Sequence, residues 1–194
     1  MVFLLELGRK VKGVIKITNK ADLRNLKCNP SNHKKRYQNR WEKGAAIIER
    51  LPKDIEPFMA GVITGFTMGE GSFYLAVTRS KTHKTGYYLA PRFGITLKLE
   101  DYEILEQIKN IFGCGSVLRG RKAVTFKVTK FKDILEVVIP FFECYPLVNI
   151  KKDDFILFKI IVYKFAYGEG KTLEGIERMI SIRQFMNHGK YLLV

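Results

Sequence analysis

An α+β fold is predicted for this 194-residue chain, with helices on one face of an antiparallel sheet and the other face left open. Three observations predict it. Apolar residues recur at helical spacing in separate stretches, as at Ile104, Leu105, Ile108, Ile111 and Phe112. Between those stretches lie paired segments in which apolar and polar residues alternate. Glycines mark the joins, among them Gly71, Gly86, Gly113, Gly115 and Gly120.

Taken in order, residues 1–57 read as a basic N-terminal extension and residues 58–194 as the folded domain. A helix is expected from about Phe58 to Gly69. Glycines at 61, 65 and 69 leave one of its faces nearly bare, so a second backbone can approach closely. The expected mate is a second copy of the chain or another protein. The helix runs into a single acid, Glu70, and at Gly71 the chain turns into a strand over 71–80. A carboxylate at the negative end of a helix is unfavourable by itself and makes most sense beside a bound cation; the alternative is a solvated acid in a turn. Loop 81–86 leads to a second strand over about 87–98. The helix over 101–112 is broken by Gly113 and Gly115. Segments 116–119 and 122–129 form a hairpin around Arg119-Gly120-Arg121-Lys122, and helices follow at about 130–143, 151–166 and 172–187.

Alternation along the strands sorts the two faces of the sheet. With Phe73, Leu75 and Val77 in the core, Ser72, Tyr74, Ala76, Thr78 and Ser80 point outward. On the second strand Arg92, Thr96 and Lys98 share a side with Gly94. This outward set is basic but poor in the side chains best suited to bidentate base reading. It reads as a nucleic-acid surface or as an ordinary solvated face.

Charge narrows the partners. The chain has 34 Lys and Arg against 19 Asp and Glu, a formal charge of +15, which favours a polyanion. The extension is the denser part: Arg24, Lys27, Lys34, Lys35, Arg36 and Arg40 occur between Leu23 and Trp41 with no acid among them. Asn25, Asn29, Asn32, His33, Tyr37, Asn39 and Trp41 are interleaved with them, a mixture suited to phosphate neutralisation and base stacking. The same stretch also reads as a basic targeting leader. Lys81, Arg119, Arg121 and Lys122 add cations at the loops of the domain. No apolar run reaches the ~18 residues that would span a membrane, and the start, Met1-Val2-Phe3-Leu4-Leu5, does not read as a secretory signal. Three cysteines, Cys28, Cys114 and Cys144, without paired spacing indicate neither a disulfide framework nor a zinc site.

The stretch Ile63-Thr64-Gly65-Phe66-Thr67-Met68-Gly69-Glu70-Gly71, followed by Ser72-Phe73, resembles the helix motif of the LAGLIDADG homing endonucleases. The likeness continues through Phe93-Gly94-Ile95-Thr96-Leu97, Phe112-Gly113-Cys114-Gly115, Val128-Thr129-Lys130-Phe131, Tyr145-Pro146-Leu147 and Met186-Asn187-His188-Gly189. It covers about residues 58–190 and is most like the C-terminal half of the two-repeat, monomeric branch. The resemblance implies a saddle-shaped sheet whose open face lies in the DNA major groove. It implies Mg²⁺ held between two motif copies, with Glu70 as this chain's metal ligand. By the same resemblance Lys151 is the pocket lysine that supports transition-state charge, and Lys98 is a peripheral basic position. The alternative for Lys151-Lys152 is a solvated helix start. Two departures stand out: the position that is often a water-orienting glutamine is Gly94, and the motif's first acid is Met68.

Two functions are carried forward. The favoured one is a catalytically degenerate member bound to structured RNA, such as ribosomal or intron RNA in a mitochondrion or another organelle. Its support is the basic extension, Gly94 and the lack of an N-terminal half. The alternative is a Mg²⁺-dependent, site-specific double-strand DNA endonuclease working as a homodimer, supported by Glu70, Lys98, Lys151 and the bare helix face.

Overall fold

The computed structural model describes residues 55–187. Helix α1 (Pro57–Glu70) opens on a proline, whose missing N–H is one the first turn could not pair in any case. Its inner face carries Ala60, Ile63 and Thr67. Thr67 is tolerated in the core because its Oγ1 donates to the Ile63 carbonyl at 2.8 Å. Gly71 ends the helix and starts β1 (Gly71–Arg79) with ordinary extended angles. What demands glycine there is proximity, since a Cβ would stand 2.5 Å from the Thr67 carbonyl oxygen and 2.6 Å from the Thr67 Cα. Gly71→Ala should force this joint open and cost about 1–3 kcal/mol, read as a lower midpoint in denaturant unfolding.

The long central strand β2 (Tyr87–Lys98) pairs with β1 on one side, Gly71 opposite Ile95 and Arg79 opposite Tyr87. A 3₁₀ turn at Leu99–Asp101 leads to α2 (Tyr102–Phe112), closed by Gly113 in the left-handed region at φ 60°. The hairpin β3 (Ser116–Arg119) and β4 (Ala123–Val128) completes an antiparallel sheet of order β1-β2-β4-β3. Helix α3 begins at Phe131–Asp133, widens into a π turn at Ile134–Val138 and ends as Ile139–Cys144. A single regular helix is expected over this stretch. The widening falls ahead of Pro140, which has no N–H to close a regular bond back to Glu136. Then come α4 (Lys151–Ala166) and α5 (Leu173–Arg183), the latter capped by Thr172 Oγ1, which accepts the Gly175 N–H at 3.1 Å.

All the helices that build the core lie on one side of the sheet. Phe73 is the centre of that core: it is fully buried, and its ring lies 5.0–5.4 Å from those of Phe93, Phe142, Phe155 and Phe158. Stacked, edge and tilted contacts of this kind add about 0.5–1.5 kcal/mol each beyond burial. Phe93, Ile95 and Leu97 from β2 and Val124, Phe126 and Val128 from β4 fill the same layer. The opposite face of the sheet has no helix on it among the described residues.

Candidate functional site

Two surfaces meet at the C-terminal end of α1. The first is the open face of the sheet. Ser72, Tyr74 and Thr78 lie on it from β1, and Arg92, Gly94, Thr96 and Lys98 from β2, as alternation predicts. Ser80 lies just past β1, its Oγ 2.7 Å from His83 Nδ1, and Lys81, Arg121 and Lys122 are exposed in the loops at the sheet's ends. Thr96 and Thr125 share a hydroxyl–hydroxyl bond of 2.9 Å across β2 and β4. Arg92 is half-buried, and its shielded Nε has no hydrogen-bond partner among the described residues.

One candidate contact, Arg119, lies off the open face, and one cation that the sequence reading does not single out lies on it. Arg119 is in register with Val124, a core residue, so its side chain falls on the helix side of the sheet. There its guanidinium lies 3.5 Å from the centroid of the Tyr102 ring. Tyr102 Oη donates to Glu106 at 2.8 Å, and Glu106 also pairs with Lys109. The hydrogen bond from Lys109, then that from Tyr102, holds the Glu106 carboxyl below its ordinary value, and Arg119 adds to the effect. Arg119 is therefore satisfied by α2 and is not part of the open face. Lys127 takes that place. It stands opposite both Gly94 and Ser116, and the inward pattern of Val124, Phe126 and Val128 could have revealed it.

The second surface is the outer face of α1. A Cβ added at Gly61, Gly65 or Gly69 would meet nothing within 4 Å among the described residues, none of which covers this face. Phe58 beside it is 70% exposed. Glu70 ends this helix, exposed, with no basic residue in its last turn. The next residues carry the chain onto the open face at Ser72, which pairs with Gly94. The vacancy at Gly94 has a packing counterpart, since a Cβ there would sit 3.1 Å from the Phe126 carbonyl oxygen.

Lys151 is brought to the same end of α1. Asn149 Nδ2 donates to the Met68 carbonyl at 3.0 Å, and Asn149 Oδ1 accepts the Lys151 N–H at 3.0 Å. Lys98 is more distant, three residues along β2 from Ile95, about 10 Å at the rise of a strand. Arg24, Lys27, Lys34, Lys35, Arg36 and Arg40 lie outside the described residues.

The donor set at Glu70 is a carboxylate with helix-end carbonyls nearby, the oxygen chemistry a hard divalent cation takes. No group of three or more His, Cys, Asp or Glu able to hold a metal occurs among the described residues. No helix among the described residues is long and apolar enough to cross a membrane.

Comparison with known proteins gives concordant matches. A family model described as LAGLIDADG endonuclease matches residues 63–162. The chain is 34% identical over 152 residues to a probable intron-encoded endonuclease 2 of Neurospora crassa, covering 75% of this chain and 34% of that protein. Among solved structures it is similar to the homing endonuclease I-TnaI, with a TM-score of 0.64 and 34% identity, covering 70% of this chain and 90% of that one. It is also similar to I-SmaMI bound to an uncleaved DNA target in the presence of calcium ions, with a TM-score of 0.64 and 28% identity. That match covers 69% of this chain but 45% of the I-SmaMI chain. The chain thus spans about a third of the curated relative and somewhat under half of I-SmaMI.

Proposed function

This chain belongs to the LAGLIDADG endonuclease family, and we propose that it is one half of a site-specific DNA endonuclease, completed by a second motif-bearing unit. The observation that carries the reading is a juxtaposition. Glu70 stands where the uncovered glycine face of α1 meets the open face of the sheet. A carboxylate at that point is suited to be shared between two subunits and laid against a duplex. The second unit is a further copy of this chain or a separate one. The preference for RNA drawn from sequence gives way to DNA. A relative of the same fold holds a DNA target, and the basic extension that carried the RNA argument lies outside the described residues. Residence in a mitochondrion or another organelle belongs to the proposal, supported by an intron-encoded relative.

In this reading the open face positions the duplex. Lys127, Arg92 and Lys98 neutralise phosphates, and Tyr74, Thr78 and Thr96 make shorter polar contacts. Glu70 and the carbonyls at the end of α1 would hold Mg²⁺ together with their counterparts from the second unit. When bound, that ion supplies an activated water and charge for the leaving oxygen. Lys151 directs its ammonium at the same phosphate, where negative charge grows during displacement.

Selection of cut products from a randomised duplex library, in Mg²⁺ and with the full chain, tests the proposal. Recovery of a defined cleavage site supports it. Binding to structured RNA with no duplex cut in any library would restore the RNA reading. The face assignments make a separate prediction. Lys127→Ala should weaken binding to all duplexes alike and lower the slope of log affinity against log salt by about 1. Arg119→Ala should leave that slope unchanged and instead cost about 0.5–1 kcal/mol of stability through its lost ring contact.

A further inference from the structure

Lys151 is held from two directions. Asn149 satisfies the first N–H of α4 and a last-turn carbonyl of α1 with one side chain. This ties the start of α4 to Met68, two residues before Glu70. One turn into α4 lies Asp154, 5% exposed. Its Oδ1 accepts the backbone N–H of Asn187 at 2.8 Å, and its Oδ2 faces Lys151 Nζ at 3.8 Å. Asn187 has φ 51°, a left-handed conformation that asparagine tolerates better than most residues. Its own Nδ2 donates to the Phe73 carbonyl of β1 at 2.9 Å. The carboxylate is thereby fixed to the strand that follows Glu70.

A carboxylate this deeply buried needs a charged or hydrogen-bonded partner for each oxygen. Asp154 has one of each. The separation from Lys151 is that of an ion pair and is too long for a hydrogen bond. The ammonium is therefore held in direction, and no hydrogen bond takes up its three N–H donors among the described residues.

We propose that Asp154 is a positioning residue. Locked to β1 through Asn187, it holds the Lys151 ammonium at the Glu70 end of α1 so that it meets the scissile phosphate in one orientation. The proposal rests on the nuclease reading of Glu70 and Lys151.

The test is Asp154→Asn in the full chain, which keeps an acceptor for the Asn187 N–H and removes only the charge. With a duplex recovered from selection, its affinity in calcium should stay within about twofold of the parent. Its single-turnover cleavage rate should fall about 10- to 100-fold, the scale of a misplaced catalytic group. In a Lys151→Ala background the same change should cause no further loss. An equal loss with and without Lys151 would mean a purely structural role and would overturn the proposal. A second measurement needs no cleavage. In the parent chain, ¹³Cε relaxation should show Lys151 more ordered than Lys152, and Asp154→Asn should release it. Equal mobility of the two lysines in the parent overturns the positioning role even in an active nuclease. An ordered Lys151 released by Asp154→Asn supports it even in a chain that cuts no duplex, which is the result that overturns the nuclease reading instead.

Discussion

Glu70→Gln should lower duplex cleavage by at least about 10³-fold, the equivalent of roughly 4 kcal/mol of transition-state stabilisation. The same change should leave the fold intact and make it slightly more stable. Glu70 is exposed, ends α1, and has no basic residue in the last helical turn to offset its charge. An anion there opposes the helix dipole, so neutralising it should gain about 0.3–1 kcal/mol. The two effects have opposite signs, and that is the useful feature. A residue retained for folding loses stability on replacement, whereas one retained for chemistry loses activity and can gain stability. Thermal unfolding and single-turnover cleavage of the same preparation check both. Cleavage that survives Glu70→Gln removes the metal-ligand role.

The parts of this architecture that sequence reveals are those where local pattern and tertiary packing demand the same thing. β1 alternates Phe73 and Leu75 inward against Ser72 and Tyr74 outward, and the sheet uses it that way. Gly113 closes α2 because a left-handed residue is needed there, which residue type alone suggests. The hairpin over 116–128 is likewise legible, and the inward alternation of Val124, Phe126 and Val128 is enough to put Lys127 on the open face. The destination of Arg119 is not legible. Its short strand has no clear alternation, so its face depends on register with Val124 of β4, which only the folded hairpin sets. The ring of Tyr102, seventeen positions earlier, then decides where the Arg119 guanidinium rests. The candidate site divides in the same way. Glu70 and Lys151 follow from the resemblance of their motifs, whereas Asp154 is an unremarkable helix-start acid until α5 brings Asn187 back across it. Hydrogen bonds spanning 33 and 114 positions carry no local signature.

Gly65→Leu should abolish cleavage while leaving the isolated chain folded and more stable. Three glycines on one helix are costly, about 0.8–1 kcal/mol each relative to alanine in a helix interior. Nothing among the described residues asks for them. A Cβ at Gly61, Gly65 or Gly69 would meet no described atom within 4 Å, in contrast to Gly71, where the chain's own backbone stands in the way. A side chain at 65 therefore starts into open space among the described residues, and leucine should gain roughly 0.5–1 kcal/mol of helix propensity. In the proposed two-unit nuclease the same side chain would occupy the space where a second helix backbone approaches, and a close crossing of this kind cannot admit it. Association and cleavage should fall together by about 100-fold or more, with Gly65→Ala intermediate. Sedimentation at several concentrations, with and without duplex, reads the first effect, and the cleavage assay reads the second. Full activity in the leucine variant would mean that the glycine face meets solvent in the working protein. The half-site at Glu70 would then have to be completed by something other than a helix packed at that face.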